Sequence, residues 1–156
     1  MSKLNIDQQT IKELFENKKS DFLIPDYQRP YAWGEIECQT LWDDIFSFAF
    51  PENDYSKFDS ENDEYFLGPI VTYKNQNKLE IIDGQQRLTT LTILLSLLRS
   101  FEECKVLVSW FDKSNLSYDH RHEADEAIRQ LSENQQISGW KGCIIILQIR
   151  AETGFA

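Results

Sequence analysis

Apolar residues recur every three or four positions in four stretches of the chain, which is the spacing of amphipathic helices. The first stretch covers residues 5–17, where Asp7 or Thr10 could cap the helix start. The second follows Gly34. Its predicted apolar face carries Ile36, Leu41, Trp42, Ile45, Phe46 and Ala49.

The third stretch reaches about Cys104 and predicts the central core helix, with Leu88, Leu91, Leu94, Leu95, Leu98 and Phe101 on its apolar face. The fourth follows residue 112 and repeats small and branched apolar residues at Ala124, Ala127, Ile128 and Leu131.

Strand patterns separate these helices. "DFLI" leads into two prolines, which indicates a short strand followed by an irregular segment. "EYFLGPIVTYK" and "KLEIIDG" flank a polar link and predict two antiparallel strands. Residues 105–111 read as a further strand or a helix start. We therefore predict an α+β domain with a small mixed sheet, a strand–turn–helix unit at residues 79–98 and flanking helices.

Residues 51–64 are rich in Asn, Asp, Ser and Glu and predict a solvated loop. Residues 134–156 differ in character, with a compact apolar run and two glycines. We expect a domain over residues 1–133 and an atypical tail over 134–156. The abrupt change suggests a truncated or frameshifted gene.

Charge and cysteine content narrow the functional classes. The net charge of −10 argues against broad nucleic-acid binding by this chain alone, although residues 65–100 are locally positive. Cys38, Cys104 and Cys143 are odd in number and far apart, which indicates reduced thiols. No apolar stretch is long enough to span a bilayer. We expect a cytoplasmic protein without a membrane partner.

The junction of strand and helix at residues 83–87 carries the strongest candidate chemistry. Backbone N–H groups without partners and the helix dipole favour a phosphate at a helix start. Gly84 lets a ligand approach, and Arg87 offers a planar fork of donors that fits phosphate oxygens. Gln85 and Gln86 could bind a phosphate, a base edge or an attacking water. Asp83 could hold Mg²⁺ or a ribose hydroxyl.

A purely structural alternative fits the same spacing. Asp83 would be the N-cap, with Gln86 three residues later in a capping-box-like pair. Gly84 would ease the turn and Arg87 would be solvated. The chain has neither a P-loop nor a GxGxxG sequence, so spacing alone leaves both alternatives open.

The segment "IPDYQRPYAW" is the second candidate. Gln28 and Arg29 follow a predicted strand, and a second arginine opposite Arg87 would clamp a polyphosphate. Aromatic residues interleave with the prolines, and one could stack on a base: Tyr27, Tyr31 and Trp33. Alternatively, these aromatics fill the core and Arg29 pairs with Asp26 or a neighbouring acid.

Taken together and in this order, "IPDYQRPYAW", "YFLGPIVTYK", "LEIIDGQQRLTTLTILL" and "LSYDHRHEADEAI" resemble the N-terminal domain of GmrSD-type, modification-dependent restriction endonucleases. That domain is similar to the ParB/sulfiredoxin nucleotide-binding fold. The resemblance covers roughly residues 5–133, and the two Gln-Arg elements together are more specific than either alone.

The resemblance implies binding and hydrolysis of an NTP, with Mg²⁺, coupled to restriction of modified foreign DNA. It assigns the phosphate and catalytic element to Asp83, Gly84, Gln85, Gln86 and Arg87. From its place at the strand end, we expect Asp83 to be the metal ligand as well. The opposite wall would carry Gln28 and Arg29, with Tyr27, Tyr31 and Trp33 as nearby lining or core. In related domains a Gly-x-x-Arg turn at a helix start has this role, which Gly84 to Arg87 matches.

The resemblance leaves two active functions open. One is an NTPase domain of a restriction or anti-phage system, with DNA contacted through a partner nuclease subunit or domain, because this chain has no His-Asn-His nuclease domain. The alternative is a non-catalytic module that senses nucleotide or modified DNA for a partner nuclease. An inert remnant is the third hypothesis.

Overall fold

A four-stranded mixed sheet organises the chain. The computed structural model describes residues 4–16, 21–59, 61–111 and 115–133. The strands are β1 (Asp21–Ile24), β2 (Val71–Asn75), β3 (Lys78–Asp83) and β4 (Leu116–Tyr118). They lie in the order β2-β3-β1-β4, with β1 parallel to β3 and β4, and β2 antiparallel to β3. The predicted α+β class with a small mixed sheet is confirmed.

Five helices accompany the sheet in the described part of the chain. They are α1 (Ile11–Glu16), α2 (Glu35–Ala49), α3 (Gln85–Ser100), α4 (Glu102–Lys105) and α5 (His122–Glu133). Thr10 caps α1, because its hydroxyl accepts the Glu13 N–H while the Glu13 carboxylate accepts the Thr10 N–H. The predicted loop after α2 contains two 3₁₀ turns, Pro51–Asn53 and Tyr55–Lys57.

Helix α3 is buried on nearly all sides, as the prediction of a central core helix requires. Three of its buried hydroxyl residues bond back to a carbonyl four residues earlier: Thr90 to Gln86, Thr92 to Leu88 and Ser96 to Thr92. The buried Thr89 bonds instead to the Tyr118 hydroxyl. The predicted face is only partly correct. Leu94 and Leu98 are half-buried, and Phe101 lies beyond the helix end with 53% of its surface exposed.

Helix α2 has the predicted position but not the predicted buried face. Leu41 is its only fully buried residue, and Ile45 and Ala49 are half-buried. Trp42 and Phe46 are exposed. The apolar spacing predicts one buried face, whereas only part of that face is buried.

Of the two alternatives for residues 105–111, the strand is wrong. Residues 105–111 form the end of α4 and turns rather than a strand, and the strand lies at Leu116–Tyr118, just before α5. A strand of three residues carries almost no periodicity of its own. Its position is set by pairing with β1, where Phe22 lies opposite Leu116 and Ile24 opposite Tyr118.

No helix in the described ranges is long and apolar enough to cross a membrane. The predicted tail over 134–156 lies outside the described residues, so the proposed division at residue 133 stays a prediction.

The parallel strands determine where a site can form. The carboxyl ends of β1, β3 and β4 meet at one edge of the sheet, which is where ligands bind in open sheets of this kind. Residues 25–29 follow β1, residues 84–87 follow β3 and residues 119–121 follow β4. Both sequence motifs therefore lie at the same edge.

Candidate functional site

The amino end of α3 begins with a left-handed residue rather than a side-chain cap. Gly84 is the N-cap, with φ 96° and ψ 9°, and its carbonyl accepts the first helical N–H, from Leu88, at 2.9 Å. The amides of Gln85, Gln86 and Arg87 form no hydrogen bond with a described residue. Three donors at the positive end of the helix dipole therefore lack a partner among the described residues, and such donors favour an anion.

The capping-box alternative is wrong. Asp83 precedes the N-cap, and its Oδ1 accepts the Gly84 N–H at 3.0 Å. The Gln86 side chain turns away from the helix start. A left-handed N-cap needs glycine, and a Cβ on Gly84 would also lie 3.3 Å from the Pro69 carbonyl oxygen and 3.2 Å from Ile70.

The Arg87 guanidinium contacts the segment that precedes β2. Its Nη1 donates to the Pro69 carbonyl at 2.9 Å. The guanidinium lies flat against Gly68, whose φ is 103°, and a Cβ there would be 3.0 Å from three guanidinium atoms. Sequence reasoning missed Gly68; the Gly-Pro pair inside "YFLGPI" was the available signal.

The charge of Arg87 also affects its surroundings. Tyr65 has a raised pKa, because burial and the nearby Asp44 carboxylate disfavour the phenolate, and Arg87 opposes this shift. The Tyr65 hydroxyl donates to Asp44 of α2 at 3.4 Å. The guanidinium therefore lies between the start of α3 and the acidic side of α2.

Gln86 uses both ends of its amide to hold the second motif. Its Nε2 donates to the Pro30 carbonyl at 2.8 Å, and its Oε1 accepts the N–H of Ala32 at 2.6 Å and of Trp33 at 3.3 Å. The side chain is only 6% exposed. Gln86 therefore joins the two motifs and has no free polar atom to position a water.

Gln85 has the opposite character. Its side chain is largely buried beside the helix start, yet it forms no hydrogen bond with any residue in the described ranges. The buried side-chain atoms without a partner do not include either polar atom of its amide, so the amide reaches the surface, where a ligand or water can bind it. Of the two glutamines, Gln85 is the one available to a ligand.

The turn after β1 lies directly beside the end of β3. Gln28 donates from Nε2 to the Ile82 carbonyl at 3.3 Å. Arg29 is exposed and forms no ion pair with a described residue, so the predicted pairing with Asp26 is wrong. Tyr27 is 67% exposed, and its hydroxyl donates to Glu80 at 3.4 Å.

Tyr31 belongs to the core and not to the site surface. It is 2% exposed, and its hydroxyl bonds to Thr90 at 3.0 Å and contacts the Cys38 Sγ at 3.5 Å. Burial raises its pKa. The core alternative is therefore correct for Tyr31, which cannot stack on a base, and the half-buried Trp33 packs against the same core.

Arg121 is a site neighbour that sequence reasoning missed. It follows β4, and its Nη2 donates to the carbonyls of Gln28 at 2.8 Å and Asp26 at 3.2 Å. Its Nη1 is buried and has no partner in the described part of the molecule. Arg121 thus anchors the turn that carries Gln28 and Arg29.

This geometry can be compared with known families. Residues 11–147 match the family model of the GmrSD restriction endonuclease, N-terminal domain. The chain belongs to this family. No individual curated protein matches the chain. Membership in the GmrSD family gives the chain a role in a restriction system, and it implies a partner nuclease domain and an interaction with DNA.

Metal ligands in this GmrSD N-terminal domain are few. Asp83 is exposed, and only its Oδ1 is hydrogen-bonded to a described residue. A single carboxylate beside a polyphosphate is an ordinary Mg²⁺ site, because phosphate oxygens and waters complete the octahedron. Among the described residues, one cluster could hold a cation through protein groups alone, without a bound nucleotide: Asp26, Asp119 and His120.

The arrangement as a whole suits anion binding more than acid–base chemistry. It combines uncapped helix amides, the Arg87 guanidinium and the exposed Arg29 at one sheet edge, with Gln85 next to the amides. These groups stabilise phosphate charge by hydrogen bonds and by the helix dipole.

Proposed function

We propose that this domain binds an NTP at the amino end of α3 and hydrolyses it. The observation that carries the proposal is the uncapped start of α3 beside an arginine whose guanidinium is held in place by Gly68 and Pro69. Phosphoryl transfer needs mainly positioning and charge stabilisation, which such groups supply.

Each site residue has a separate task in this proposal. The amides of residues 85–87 and the Arg87 guanidinium bind phosphate oxygens, and Arg29 neutralises charge that develops during transfer. Gln85 orients the attacking water, because Gln86 is already engaged with Pro30 and Ala32. Tyr27 and Gln28 lie on the other side, where the nucleoside would bind.

Asp83 fits the role of Mg²⁺ ligand, since its carboxylate is exposed at the strand end beside the proposed phosphates. When bound, Mg²⁺ would supply positive charge to the polyphosphate. The Gly84 N–H holds one oxygen of Asp83 and so fixes the direction of the other.

We further propose that turnover is coupled to restriction of modified foreign DNA in the cytoplasm. The acidic net charge disfavours unspecific DNA binding by this chain alone. Contact with DNA and its cleavage are therefore assigned to the nuclease domain that the family implies.

Phosphate release from each of the four NTPs, with and without Mg²⁺, tests the proposal. We expect Mg²⁺-dependent release in the wild type and a loss on the order of a hundredfold or more for Arg87→Ala. Asp83→Ala should lose the phosphate release that Mg²⁺ supports. Arg99→Ala is the matched control, because it removes the same charge from the other end of α3 and should retain turnover.

Non-catalytic sensing is the second candidate, and the engagement of Gln86 in structure favours it. Only one of the two glutamines then remains for the attacking water. NTP binding that requires Arg87, together with no release in the wild type, would support sensing and exclude hydrolysis. No binding of any NTP by a folded protein would exclude both the NTPase and the sensing of nucleotide, and would leave only the sensing of modified DNA.

A further inference from the structure

The outer side of α2 carries an aromatic row that the described residues leave open. Trp42, Phe46 and Phe50 are spaced by four residues and therefore follow one line along the helix. Neighbouring rings in this row are close in space, with centroids 6.3 Å apart for Trp42 and Phe46 and 4.6 Å apart for Phe46 and Phe50. Trp42 is 44% exposed and Phe46 is 42% exposed.

The line of α2 next to the aromatic row is less exposed. Leu41 is buried, and Ile45 and Ala49 are half-buried on the neighbouring line. The helix therefore has one line of buried and half-buried apolar residues and a neighbouring aromatic line whose Trp42 and Phe46 are exposed. Solvent-exposed aromatic clusters of this kind are typical of protein interfaces.

An acidic row runs along the aromatic row. Glu35, Gln39 and Asp43 are also spaced by four residues, and Gln39 and Asp43 precede Trp42 and Phe46 by three. The Gln39 amide donates to Asp43 at 2.7 Å. No Lys or Arg occurs between Gly34 and Ser56, so nothing basic within α2 neutralises this row.

We propose that this aromatic and acidic surface of α2 docks a basic amphipathic helix of a partner protein. The partner's apolar side would cover Trp42, Phe46 and Phe50, and its Lys or Arg residues would lie along Glu35 and Asp43. Helix pairs pack through such four-residue rows, and the charge row fixes direction and register.

The charge also decides against other occupants. DNA would place phosphates against an acidic row, which is unfavourable. A second copy would bring two acidic rows together, and like charges facing each other oppose association. This inference is independent of the proposed NTP site, because none of these residues takes part in it.

The experiment measures binding of two synthetic helical peptides as long as α2 to the full chain by fluorescence anisotropy. The peptides share one leucine pattern, and their polar positions are all Lys in one and all Glu in the other. We expect the Lys peptide to bind at least about tenfold more tightly than the Glu peptide.

Variants separate docking from general charge attraction. Trp42→Ser with Phe46→Ser should weaken the Lys peptide about tenfold or more, whereas Val71→Ser with Tyr73→Ser, which removes exposed apolar groups from β2, should not. Glu35→Lys with Asp43→Lys should reverse the preference toward the Glu peptide. Glu61→Lys with Asp63→Lys makes the same change of net charge in the loop and should leave the preference intact.

Circular dichroism confirms that each variant is folded before it is compared. Equal binding of both peptides, or binding that survives loss of Trp42 and Phe46, would overturn the proposal. So would failure of the Lys peptide to bind the wild type. A wild-type dimer that Trp42→Ser with Phe46→Ser dissociates, seen by sedimentation, would assign the surface to a second copy instead.

Discussion

The direction of the Arg87 side chain is set by residues that are distant from it in the sequence. Its type and its place on the first turn of α3 were predictable from the sequence. Its direction was not, because Pro69 and Gly68 lie eighteen and nineteen residues earlier and contact it only after β2 and β3 have paired.

Gly68→Ala tests this contact. The new Cβ would lie 3.0 Å from the guanidinium, and φ 103° is strained for alanine by roughly 1–2 kcal/mol. We expect Arg87 to be displaced and NTP affinity to fall about tenfold, with a lower melting temperature. Gly34→Ala is the control, because φ there is −102° and alanine adopts it without strain. Unchanged NTP affinity in a folded Gly68→Ala protein would contradict the role of Gly68.

Two pairs of identical residues have different surroundings that the sequence pattern does not predict. Gln85 and Gln86 are chemically identical and adjacent, yet only Gln86 reaches the Pro30–Trp33 segment. Tyr27 and Tyr31 both lie close to a proline in the same segment, yet Tyr27 is exposed and Tyr31 is in the core. Such pairs are distinguished by the direction of each side chain, which depends on contacts across 50 residues or more.

At the element scale, the junction of α3 with the segment before α2 is a structural clamp. Residues 30–33 are neither helix nor strand, so their backbone groups have no regular partners. The Gln86 amide supplies hydrogen bonds to Pro30 and Ala32 of this segment. The clamp holds the end of "IPDYQRPYAW" against the start of α3.

Substituting the two glutamines separately should give opposite results. Gln86→Ala leaves the Ala32 N–H and the Pro30 carbonyl without their partner, so unfolding free energy should fall by about 1–3 kcal/mol. Gln85→Ala breaks no hydrogen bond to a described residue and should cost less stability, while NTP turnover falls steeply. Urea unfolding and phosphate release measure the two effects. Equal stability losses in both variants would show that the clamp contributes nothing of its own.

Arg121 gives a second prediction at this scale. Arg121→Ala frees the carbonyls of Asp26 and Gln28 and should loosen the turn that carries Arg29. We expect KM for NTP to rise several-fold with little change in kcat, and Arg121→Lys to recover part of the loss. Arg129→Ala removes an exposed arginine, paired with Glu126, and serves as the control. A rise in KM of the same size in Arg129→Ala would indicate a general charge effect.

At the scale of the whole molecule, the order of elements was largely predictable and their contacts were not. The three long helices and the β2–β3 hairpin have strong periodicity or turn chemistry, so their type and position followed from local sequence. The position of β4 did not, because its pairing with β1 determines it, and the exposure of Trp42 and Phe46 did not follow from the apolar spacing of α2. The sheet edge where both motifs meet follows only from the parallel pairing of β1 with β3.

The distribution of charge completes this picture. The chain is strongly acidic overall, with the excess concentrated in residues 21–64, whereas the proposed phosphate site lies in the locally positive segment that follows. The acidic surface of α2 and the anion site of α3 are thus separate surfaces suited to opposite partners.

The most direct test of the account is a crystal structure of the chain with Mg²⁺ and a non-hydrolysable NTP. We predict phosphate oxygens within hydrogen-bond distance of the amides of Gln85, Gln86 and Arg87 and of the Arg87 guanidinium. A triphosphate bound elsewhere on the protein, with the start of α3 contacting only solvent, would contradict the account.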